Sequence, residues 1–526
     1  MGCDFLKRSS RIYEKLRDRV MYFSKKNPHV ALRWVRLAAE WAWMNHAGRY
    51  ADGGIENAVL SIGESLERYL NSSKRMTCAR YAPIKITKGN GRRAILHVAT
   101  CVTEVGGHTR LLRGWIENDP DSCHSLLVID QGNNRIPRGL CESVQRSGGF
   151  CIALPSVSDR LLKAKWLREI SQQTVDLVVS HHHPDDVVPI LAYATRQCPP
   201  IAILNHADHV FWLGGSVADV VISFRKSGKI LAEKRRFVRH SMMLPIPLIP
   251  SFPSMTKTEA RGHLKITDQQ MMLLSMGSAY KYIPTDVQNF FSMAIRILEE
   301  NLNAHMYIIG PAKQDIRHLP ALRHKRIHLL GEIVDPLVYC TAADIYLEGF
   351  PLGSTTAFLE TAALGTCPVL ALAPNPSVLS TDDLALEGII GNAPNENVYV
   401  QEINFLIRNE SRRKELGSLI KKKIMECHTG EKWQLYLKNT YGAMEALAHE
   451  PCRLPETECM ETYNDLSLAN VNWFRNKDGR WRCFRGIPLR ICLIYIWALL
   501  TDVCRRVLIL GEPSKLIKKF YPRRKN

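Results

Sequence analysis

The stretch that most constrains the fold of this chain covers residues 343–373 and reads ADIYLEGFPLGSTTAFLETAALGTCPVLALA. Its order is an apolar run, a loop broken by glycine and proline, a helix-forming segment and a second apolar run. Ser354 is a typical N-cap residue and Gly365 is typical of the position just after a helix, so we predict a helix over residues 355–364. The pattern therefore predicts a βαβ unit.

The start of this predicted helix has the chemistry of a phosphate site. Its first turn presents unpaired backbone N–H groups and the positive end of the helix dipole, with the hydroxyls of Ser354, Thr355 and Thr356 beside them. Glu360 follows Thr356 by one turn on the same face, where a carboxylate could accept hydrogen bonds from a ribose. A diphosphate followed by a ribose is the layout of a bound nucleotide-sugar. The same pattern also occurs where a helix is merely well capped, and both interpretations stay open here.

Strand-like and helix-like segments alternate through the middle of the chain. Apolar runs of strand length begin at Arg93, a proline-rich stretch at residues 244–253 interrupts them, and a second series begins at Gln270. Such alternation predicts an α/β fold with two mainly parallel, doubly wound sheets. The other predicted strands are residues 125–129, 151–154, 177–179, 202–204, 220–223, 304–310, 327–329, 345–347 and 367–372.

Four parts of the chain follow from these boundaries. Residues 1–90 contain amphipathic helix-forming runs and predict a helical appendage. Residues 93–245 and residues 254–448 are the two predicted α/β domains. Residues 449–526 form a basic C-terminal extension with an amphipathic segment.

The positive charge is concentrated at the two ends. Residues 1–27 carry a net charge of +5 and residues 471–526 a net charge of +11, which is most of the formal total of +19. The middle is close to neutral, so we expect no nucleic-acid partner. The apolar run at residues 491–500 lies among arginines and is too short to span a bilayer. It could lie on an anionic membrane surface or pack as a helix on the appendage, and both readings stay open.

The chain shows no sign of export. No apolar run reaches the roughly 18–20 residues of a membrane span, and the polar N-terminus does not have the pattern of a signal peptide. The fifteen cysteines form no CxxC pair, which favours reduced thiols. We expect a cytoplasmic protein, with contact to the inner face of the membrane through residues 471–526 as the open possibility.

Histidines and carboxylates collect where strands of the first series end. The sequence SHHHPDD occupies residues 180–186, NHADH occupies residues 205–209, and His108 follows a Gly-Gly turn. Because strands of a parallel sheet end at one edge, these loops should face one cleft. The histidines could bind a metal, make ordinary hydrogen bonds, or bind an acceptor and move protons. No HxxxH helix or Cys/His spacing supports the metal interpretation, so we predict no metal site.

A second loop of interest lies at the end of the first strand of the second series. It contains Lys281 in the sequence GSAYKY, where a cation could neutralise a diphosphate held at residues 354–356. A loop lysine is commonly a solvated surface charge, so its significance depends on its companions. The fingerprint GxGxxG is absent, which disfavours a dinucleotide-binding oxidoreductase.

Taken together, the motifs between residues 93 and 447 resemble those of GT-B glycosyltransferases. MGSAYKYIP resembles the strand-end loop with the diphosphate-binding lysine of that family, and EGFPLGSTTAFLETAALGTCPV resembles its donor-site segment. GGHTR matches the glycine-rich loop of the first domain. The Lys-Tyr and Thr-Thr details are similar to the branch that contains O-linked N-acetylglucosamine transferases and bacterial protein glucosyltransferases.

The resemblance implies that a sugar moves from a nucleoside diphosphate sugar, expected to be a UDP-sugar, to a hydroxyl of a glycan, lipid-linked or protein acceptor. The first α/β domain would then serve the acceptor and the second the donor. The implied donor contacts come from Lys281, Gly353, Ser354, Thr355, Thr356, Glu360, Gly107 and Arg225. Glu348 is left out of the predicted site, because a longer loop places it twelve residues before Glu360, whereas the pair in retaining members is eight apart.

The resemblance also implies the chemistry. Helix N–H groups, Lys281 and Arg225 would stabilise the departing diphosphate, so we expect a hexosyltransferase that needs neither metal nor cofactor. If the enzyme inverts, the predicted base is His206 or Asp208, with His108 next. If it retains configuration, these residues would position the acceptor, and the leaving phosphate would take the proton. The sequence does not distinguish these two routes.

Two other functional classes share this architecture. A nucleotide-sugar epimerase would use the same donor site but would need no acceptor. A non-catalytic relative that binds glycans or protein partners would keep the sheets and lose affinity for the donor.

Overall fold

The structure of the protein is a computed structural model, and it describes residues 2–72, 91–104, 106–249, 254–284, 288–314, 324–373 and 377–456. The predicted membrane-binding segment at residues 471–526 lies outside the described residues, as does the end of the proline-rich connector at residues 250–253. No described helix combines the length and the apolar character needed to cross a membrane.

The N-terminal region is helical, as its sequence predicts. Its helices are α1 (Gly2–Ser24), α2 (Pro28–Asn45), α3 (Gly53–Glu64) and α4 (Leu66–Ser72). Asn27 and Asp52 cap α2 and α3 through their side chains. The buried carboxylate of Glu56 accepts backbone N–H groups of Gly214 and Gly215, so the appendage is anchored on the domain that follows.

The first α/β domain is built on seven parallel strands. They are β1 (Arg93–Ala99), β2 (Ser122–Val128), β3 (Cys151–Ala153), β4 (Leu177–His181), β5 (Ile201–Leu204), β6 (Val220–Ser223) and β7 (Ser241–Met243). The surrounding helices are α5 (Gly107–Asn118), α6 (Arg138–Arg146), α7 (Arg160–Thr174), α8 (Val188–Tyr193) and α9 (Lys226–Arg235). The strand order is β3-β2-β1-β4-β5-β6-β7, so the winding reverses between β1 and β4.

The second α/β domain repeats this plan with five parallel strands. They are β8 (Met271–Met276), β9 (Ala304–Ile309), β10 (Ile327–Gly331), β11 (Ile345–Leu347) and β12 (Cys367–Val369), in the order β10-β9-β8-β11-β12. Its helices are α10 (Lys257–His263), α11 (Phe290–Glu300), α12 (Leu337–Ala342), α13 (Thr355–Ala363), α14 (Glu396–Arg408), α15 (Glu410–His428) and α16 (Gly430–Glu445). The predicted fold class, two doubly wound parallel sheets with added helices, is confirmed.

The helix α16 returns to the first domain and ties the two domains together. The indole of Trp433 donates to the carbonyl of Pro245 at 2.8 Å, and the hydroxyl of Tyr441 donates to Asp119 at 2.9 Å. Both aromatic side chains are buried. The interface between the domains therefore contains satisfied polar groups within an apolar core.

The predicted βαβ unit is present as β11, α13 and β12. The helix ends at Ala363, and Gly365 has a φ of 98°, which is the left-handed conformation that favours glycine after a helix. The helix begins at Thr355, but the side chain of Ser354 makes no capping bond to it. That hydroxyl accepts a hydrogen bond from Lys281 instead.

Candidate active site

A cavity of about 420 Å³ lies between the two domains, where the strands of both sheets end. Among the predicted site residues, those that line it are Gly107, His108, His206 and Arg225 from the first domain and Lys281, Gly353, Ser354, Thr355, Thr356 and Glu360 from the second. Asp208 is buried behind this surface. Residues that are far apart in the sequence therefore meet in one cleft, as expected for strand ends of facing sheets.

The second-domain wall of this cavity is formed by the N-terminal turn of α13 and by Lys281, which packs against it. The ammonium of Lys281 donates to the carbonyl of Gly353 at 2.9 Å and to the hydroxyl of Ser354 at 3.1 Å. Burial, followed by the charge of Arg225, lowers the pKa of Lys281 to about 8. The lysine thus brings a positive charge to the N-terminal turn of α13, where backbone N–H groups have no partner within the helix.

Two glycines allow loops to approach this helix start closely. A Cβ atom on Gly107 would lie 2.9 Å from the hydroxyl oxygen of Thr356, and one on Gly277 would lie 2.5 Å from that of Ser354. Gly107 belongs to the first domain and Thr356 to the second, so this contact crosses the cleft. The glycine-rich loop therefore lies directly against the N-terminal turn of α13.

An ion pair that the sequence did not reveal also crosses the cleft. Arg110, in the first turns of α5, donates to Glu360 at 2.6 Å. Burial raises the pKa of Glu360, and Arg110 opposes that rise. The bond uses one carboxylate oxygen, which leaves the other available to a ligand. Arg110 is the last residue of the motif GGHTR, but no local signal indicated its partner, which lies 250 residues away.

Arg225 and Asp208 form a buried pair in the wall of the first domain. The guanidinium donates to both carboxylate oxygens, at 2.6 and 2.7 Å, and to the carbonyl of Ser380 in the second domain at 2.9 Å. Burial alone would raise the pKa of Asp208, but Arg225 and His209 outweigh it and lower the pKa to about 2. This geometry disfavours the predicted role of Asp208 as a general base, because such a carboxylate scarcely accepts protons near neutral pH.

His108 and His206 lie side by side on the same wall. Their rings stack with centroids 4.9 Å apart, and Nδ1 of His206 lies 3.2 Å from the carbonyl of Leu204. That carbonyl can only accept, so Nδ1 carries the hydrogen and Nε2 is left as an acceptor. Burial, together with His183, lowers the pKa of His108 to about 4, and burial also lowers the pKa of His206 well below its usual range. Both rings are thus neutral near pH 7, and their role as bases stays a prediction.

The other histidines of the first-domain loops make ordinary bonds. His182 lies 2.8 Å from the hydroxyl of Ser180 and 2.6 Å from the carbonyl of Leu213, while His183 pairs with Asp185. Across the described part of the chain, no three His, Cys, Asp or Glu side chains are gathered as ligands of one metal ion.

Glu348 lies beneath the donor-side loop and does not line the cavity. It is fully buried and accepts hydrogen bonds from the backbone N–H groups of Ala371 and Thr381, at 3.1 and 2.8 Å, and from the Thr381 hydroxyl at 2.6 Å. A Cβ atom on Gly353 would lie 2.1 Å from its carboxylate. The side chain therefore supports the loop from inside.

Comparison with known proteins adds the identity of the fold. No protein-family model and no curated protein matches the sequence. A glycosyltransferase from Rickettsia africae is 11% identical, with a TM-score of 0.50 over 68% of this chain and 98% of that one. The Anabaena protein HepE, solved in complex with UDP-glucose, is 13% identical, with a TM-score of 0.50 over 67% of this chain and 100% of that one. The chain has the GT-B fold.

The O-linked N-acetylglucosamine transferase of Thermobaculum terrenum is also similar. It is 13% identical, and the match covers 83% of this chain and 98% of that one with a TM-score of 0.48.

Proposed function

We propose that the protein transfers a sugar from a nucleoside diphosphate sugar, expected to be a UDP-sugar, to an acceptor hydroxyl. The observation that carries the proposal is the meeting of Lys281, the first turn of α13 and the Gly107 loop at one end of the interdomain cavity. These groups supply a cation, helix N–H groups and a loop backbone to one small volume. That combination suits a diphosphate.

The diphosphate would lie against residues 353–356, with Lys281 neutralising its charge. Lys281 donates to the carbonyl of Gly353 and the hydroxyl of Ser354, and a phosphate oxygen is a better acceptor than either. The ribose hydroxyls would reach the free carboxylate oxygen of Glu360. Arg225 would add a second positive charge from the first domain.

The leaving nucleoside diphosphate would be stabilised by these fixed positive groups, without a metal ion or a cofactor. Closure of the two domains would exclude water from the anomeric carbon and limit hydrolysis. In an inverting reaction the neutral ring of His206 or His108 would take the proton of the acceptor. In a retaining reaction these rings would orient the acceptor, and the leaving phosphate would take the proton.

We also propose the branch of the fold and the place of the acceptor. Lys281-Tyr282 and Thr355-Thr356 support kinship with O-linked N-acetylglucosamine transferases and bacterial protein glucosyltransferases. The acceptor would lie on the first domain, beside His108 and His206. Comparison of peptide, glycan and lipid acceptors with one donor would separate the three acceptor classes.

Calorimetry with UDP, GDP and their sugars tests the donor site. The wild type should bind one of these nucleotides, and Lys281→Ala should weaken binding about 100-fold or more, because a charged hydrogen bond to phosphate is lost. Lys226→Ala is the matched control, since this lysine lies outside the cavity and pairs with Glu387. Binding of no nucleotide by the wild type would exclude the proposal and favour a non-catalytic relative.

Product analysis with and without acceptor then tests the reaction. A transferase should release free nucleoside diphosphate in step with glycosylated acceptor. Conversion of the donor that is equally fast without any acceptor would instead support an epimerase.

A further inference from the structure

Three buried histidines on neighbouring strands of the first sheet are joined ring to ring. Nδ1 of His97 on β1 lies 3.0 Å from Nε2 of His181 on β4, and Nε2 of His97 lies 3.0 Å from Nδ1 of His124 on β2. All three side chains are at most 2% exposed. Such a row is uncommon inside an apolar domain, because each ring nitrogen must find a partner there.

The row runs beneath α5, from the cleft to the far end of that helix. At the cleft end, the ring of His108 in the first turn of α5 lies 5.5 Å from the ring of His181, centroid to centroid. At the far end, Nε2 of His124 lies 3.1 Å from a carboxylate oxygen of Asp119, the residue that follows α5. This contact has the distance of an ion pair, although it is not aligned as an ideal hydrogen bond.

Asp119 determines which nitrogen of each ring donates and which accepts along the row. A carboxylate only accepts, so its contact favours a hydrogen on Nε2 of His124 and leaves Nδ1 of that ring as an acceptor. Nε2 of His97 then donates to His124, and Nε2 of His181 donates to His97. Nδ1 of His181 is therefore left with an unused lone pair at the cleft end.

Two ring nitrogens at that end are left without a hydrogen-bond partner among the described residues. They are Nδ1 of His181 and Nε2 of His108, and both are buried. His108 lines the active cavity and His181 lies behind it. The His108 ring thus lies between the cavity and a ring, 5.5 Å away centroid to centroid, that still has an unused acceptor.

We propose that the row His181, His97, His124 and Asp119, which we call the histidine row, takes up the proton of the acceptor during sugar transfer and returns it when the cleft empties. This inference rests on the proposed function in its inverting form, in which a base of the protein takes that proton. The acceptor oxygen bonds to the anomeric carbon as its O–H bond breaks, and the bond from that carbon to the diphosphate breaks with its electron pair on the diphosphate. The proton passes to His108 and then to Nδ1 of His181.

Two further shifts complete the uptake. The hydrogen on Nε2 of His181 moves to Nδ1 of His97, and the hydrogen on Nε2 of His97 moves to Nδ1 of His124. The row then holds an imidazolium at His124, next to the carboxylate of Asp119. The reverse shifts return the proton to the cleft and restore the starting tautomers.

The surroundings favour a positive charge at the far end over the cleft end. Burial lowers the pKa of both His97 and His181 well below the usual range, and neighbouring histidines add to the effect. His206 and His182 act on His181 from the loops, while Trp115 of α5 covers it.

Asp119 supplies the counter-charge. Burial alone would raise its pKa, but His124 and the hydroxyl of Tyr441 hold it below the usual range. That hydroxyl donates to Asp119 at 2.9 Å, and Arg93 lies over the ring of Tyr441.

Nitrogen NMR of the full chain with labelled histidine tests the row without any substrate. At neutral pH, His181, His97 and His124 should all carry hydrogen on Nε2. Asp119→Leu removes the acceptor at the far end, so in this variant the three rings should no longer share that tautomer. A hydrogen on Nδ1 of His181 in the wild type at neutral pH, or unchanged tautomers in Asp119→Leu, would overturn the proposal.

A second histidine pair provides the matched control. His305 and His328 in the second domain stack with a nitrogen–nitrogen distance of 3.1 Å, and neither lines the cavity. His328→Gln breaks this equivalent contact and should leave the signals of the histidine row in place.

Kinetics with the donor and acceptor that the wild type uses provide the second test. His97→Phe should lower kcat about tenfold with an unchanged KM for the donor, less than the 10²–10⁴-fold cost of losing a general base itself. The acid limb of the pH profile should move to lower pH, because the cut row leaves a weaker base. If the melting temperature shows that His97→Phe is unfolded, His97→Gln takes its place.

The outcomes separate the two hypotheses. A wild type that transfers sugar, with a His97 variant of unchanged rate and pH profile, would overturn the proton row and leave the proposed function intact. A wild type that turns over no nucleotide-sugar would remove both.

Discussion

The two walls of the cleft hold their polar groups in different ways. On the second-domain wall, Lys281 donates to the carbonyl of Gly353 and the hydroxyl of Ser354, and a ligand could replace both acceptors. On the first-domain wall, Arg225 and Asp208 are bonded to each other and buried. The bonds of Lys281 can be exchanged for bonds to a ligand, whereas the buried pair of Arg225 and Asp208 stabilises the folded wall. Substitution of Lys281 or of residues 354–356 should therefore change mainly affinity, whereas substitution of Arg225 should lower stability in addition to affinity.

The largest effect is expected from Arg225→Met. It removes the partner of Asp208 and leaves a buried, uncompensated carboxylate, which should reduce the free energy of unfolding by about 3–5 kcal/mol. Urea unfolding measures this, and the double variant Arg225→Met/Asp208→Leu should recover much of the loss. If the free energy of unfolding of Arg225→Met were within about 1 kcal/mol of the wild-type value, the pair of Arg225 and Asp208 would not stabilise the first-domain wall.

Thr356→Val should have the opposite profile. It removes a hydroxyl at the N-terminal turn of α13 and should weaken binding of the nucleoside diphosphate about tenfold, with a change in melting temperature of only a degree or two. Thr341→Val is the matched control, because Thr341 is also on a helix, bonded to Leu337, but lies outside the cavity. A large fall in melting temperature with unchanged affinity would mean that Thr356 is structural.

The contrast between the walls also explains how much the sequence could predict. The unit β11–α13–β12 is contiguous, and the sequence predicts the C-terminal end of its helix to within one residue, because the preference of Gly365 for the left-handed conformation is local. The groups at the start of this helix belong to that single unit, apart from Lys281, which contacts it from the loop after β8. Local chemistry was therefore sufficient to predict the secondary structure on this side.

The first-domain wall depends on contacts between distant segments. His97 and His124 lie inside apolar strands and read as core positions, since their pairing exists only once β1, β2 and β4 are adjacent. Asp208 looked like a base because the loop did not reveal the bond to Arg225. The short strand β7 (Ser241–Met243) was missed, because three residues carry too little periodicity.

His428 offers a pH-dependent test at the junction of the domains. Its Nδ1 lies 2.7 Å from the carbonyl of Ile246, and its Nε2 lies 2.9 Å from Asp383. Both neighbours accept, so the contacts favour a hydrogen on each ring nitrogen, which is the imidazolium form. Burial opposes this charge, but Asp383 and the Ile246 carbonyl outweigh it and raise the pKa of His428.

The sign of the pH dependence follows from that raised pKa. The stabilisation is complete below the usual histidine pKa of about 6.5 and is lost as the pH rises through the higher pKa of the folded state. Stability should fall there with a slope of up to about 1.4 kcal/mol per pH unit. Melting temperatures measured between pH 6 and 9 test this, and His428→Gln should flatten the slope. An equal slope in both proteins would assign it to other groups.

The smallest effect on stability is expected where the two walls meet. The ion pair of Arg110 and Glu360 is partly exposed, with 39% and 30% of the side chains accessible, so its contribution should be within about 1 kcal/mol. Arg110→Met should thus leave the melting temperature almost unchanged. It frees a carboxylate that we assign to the ribose, so the affinity for a nucleoside diphosphate should change more than stability does. If Arg110→Met instead lowered stability as strongly as Arg225→Met and left affinity constant, the pair of Arg110 and Glu360 would be structural, like the pair of Arg225 and Asp208.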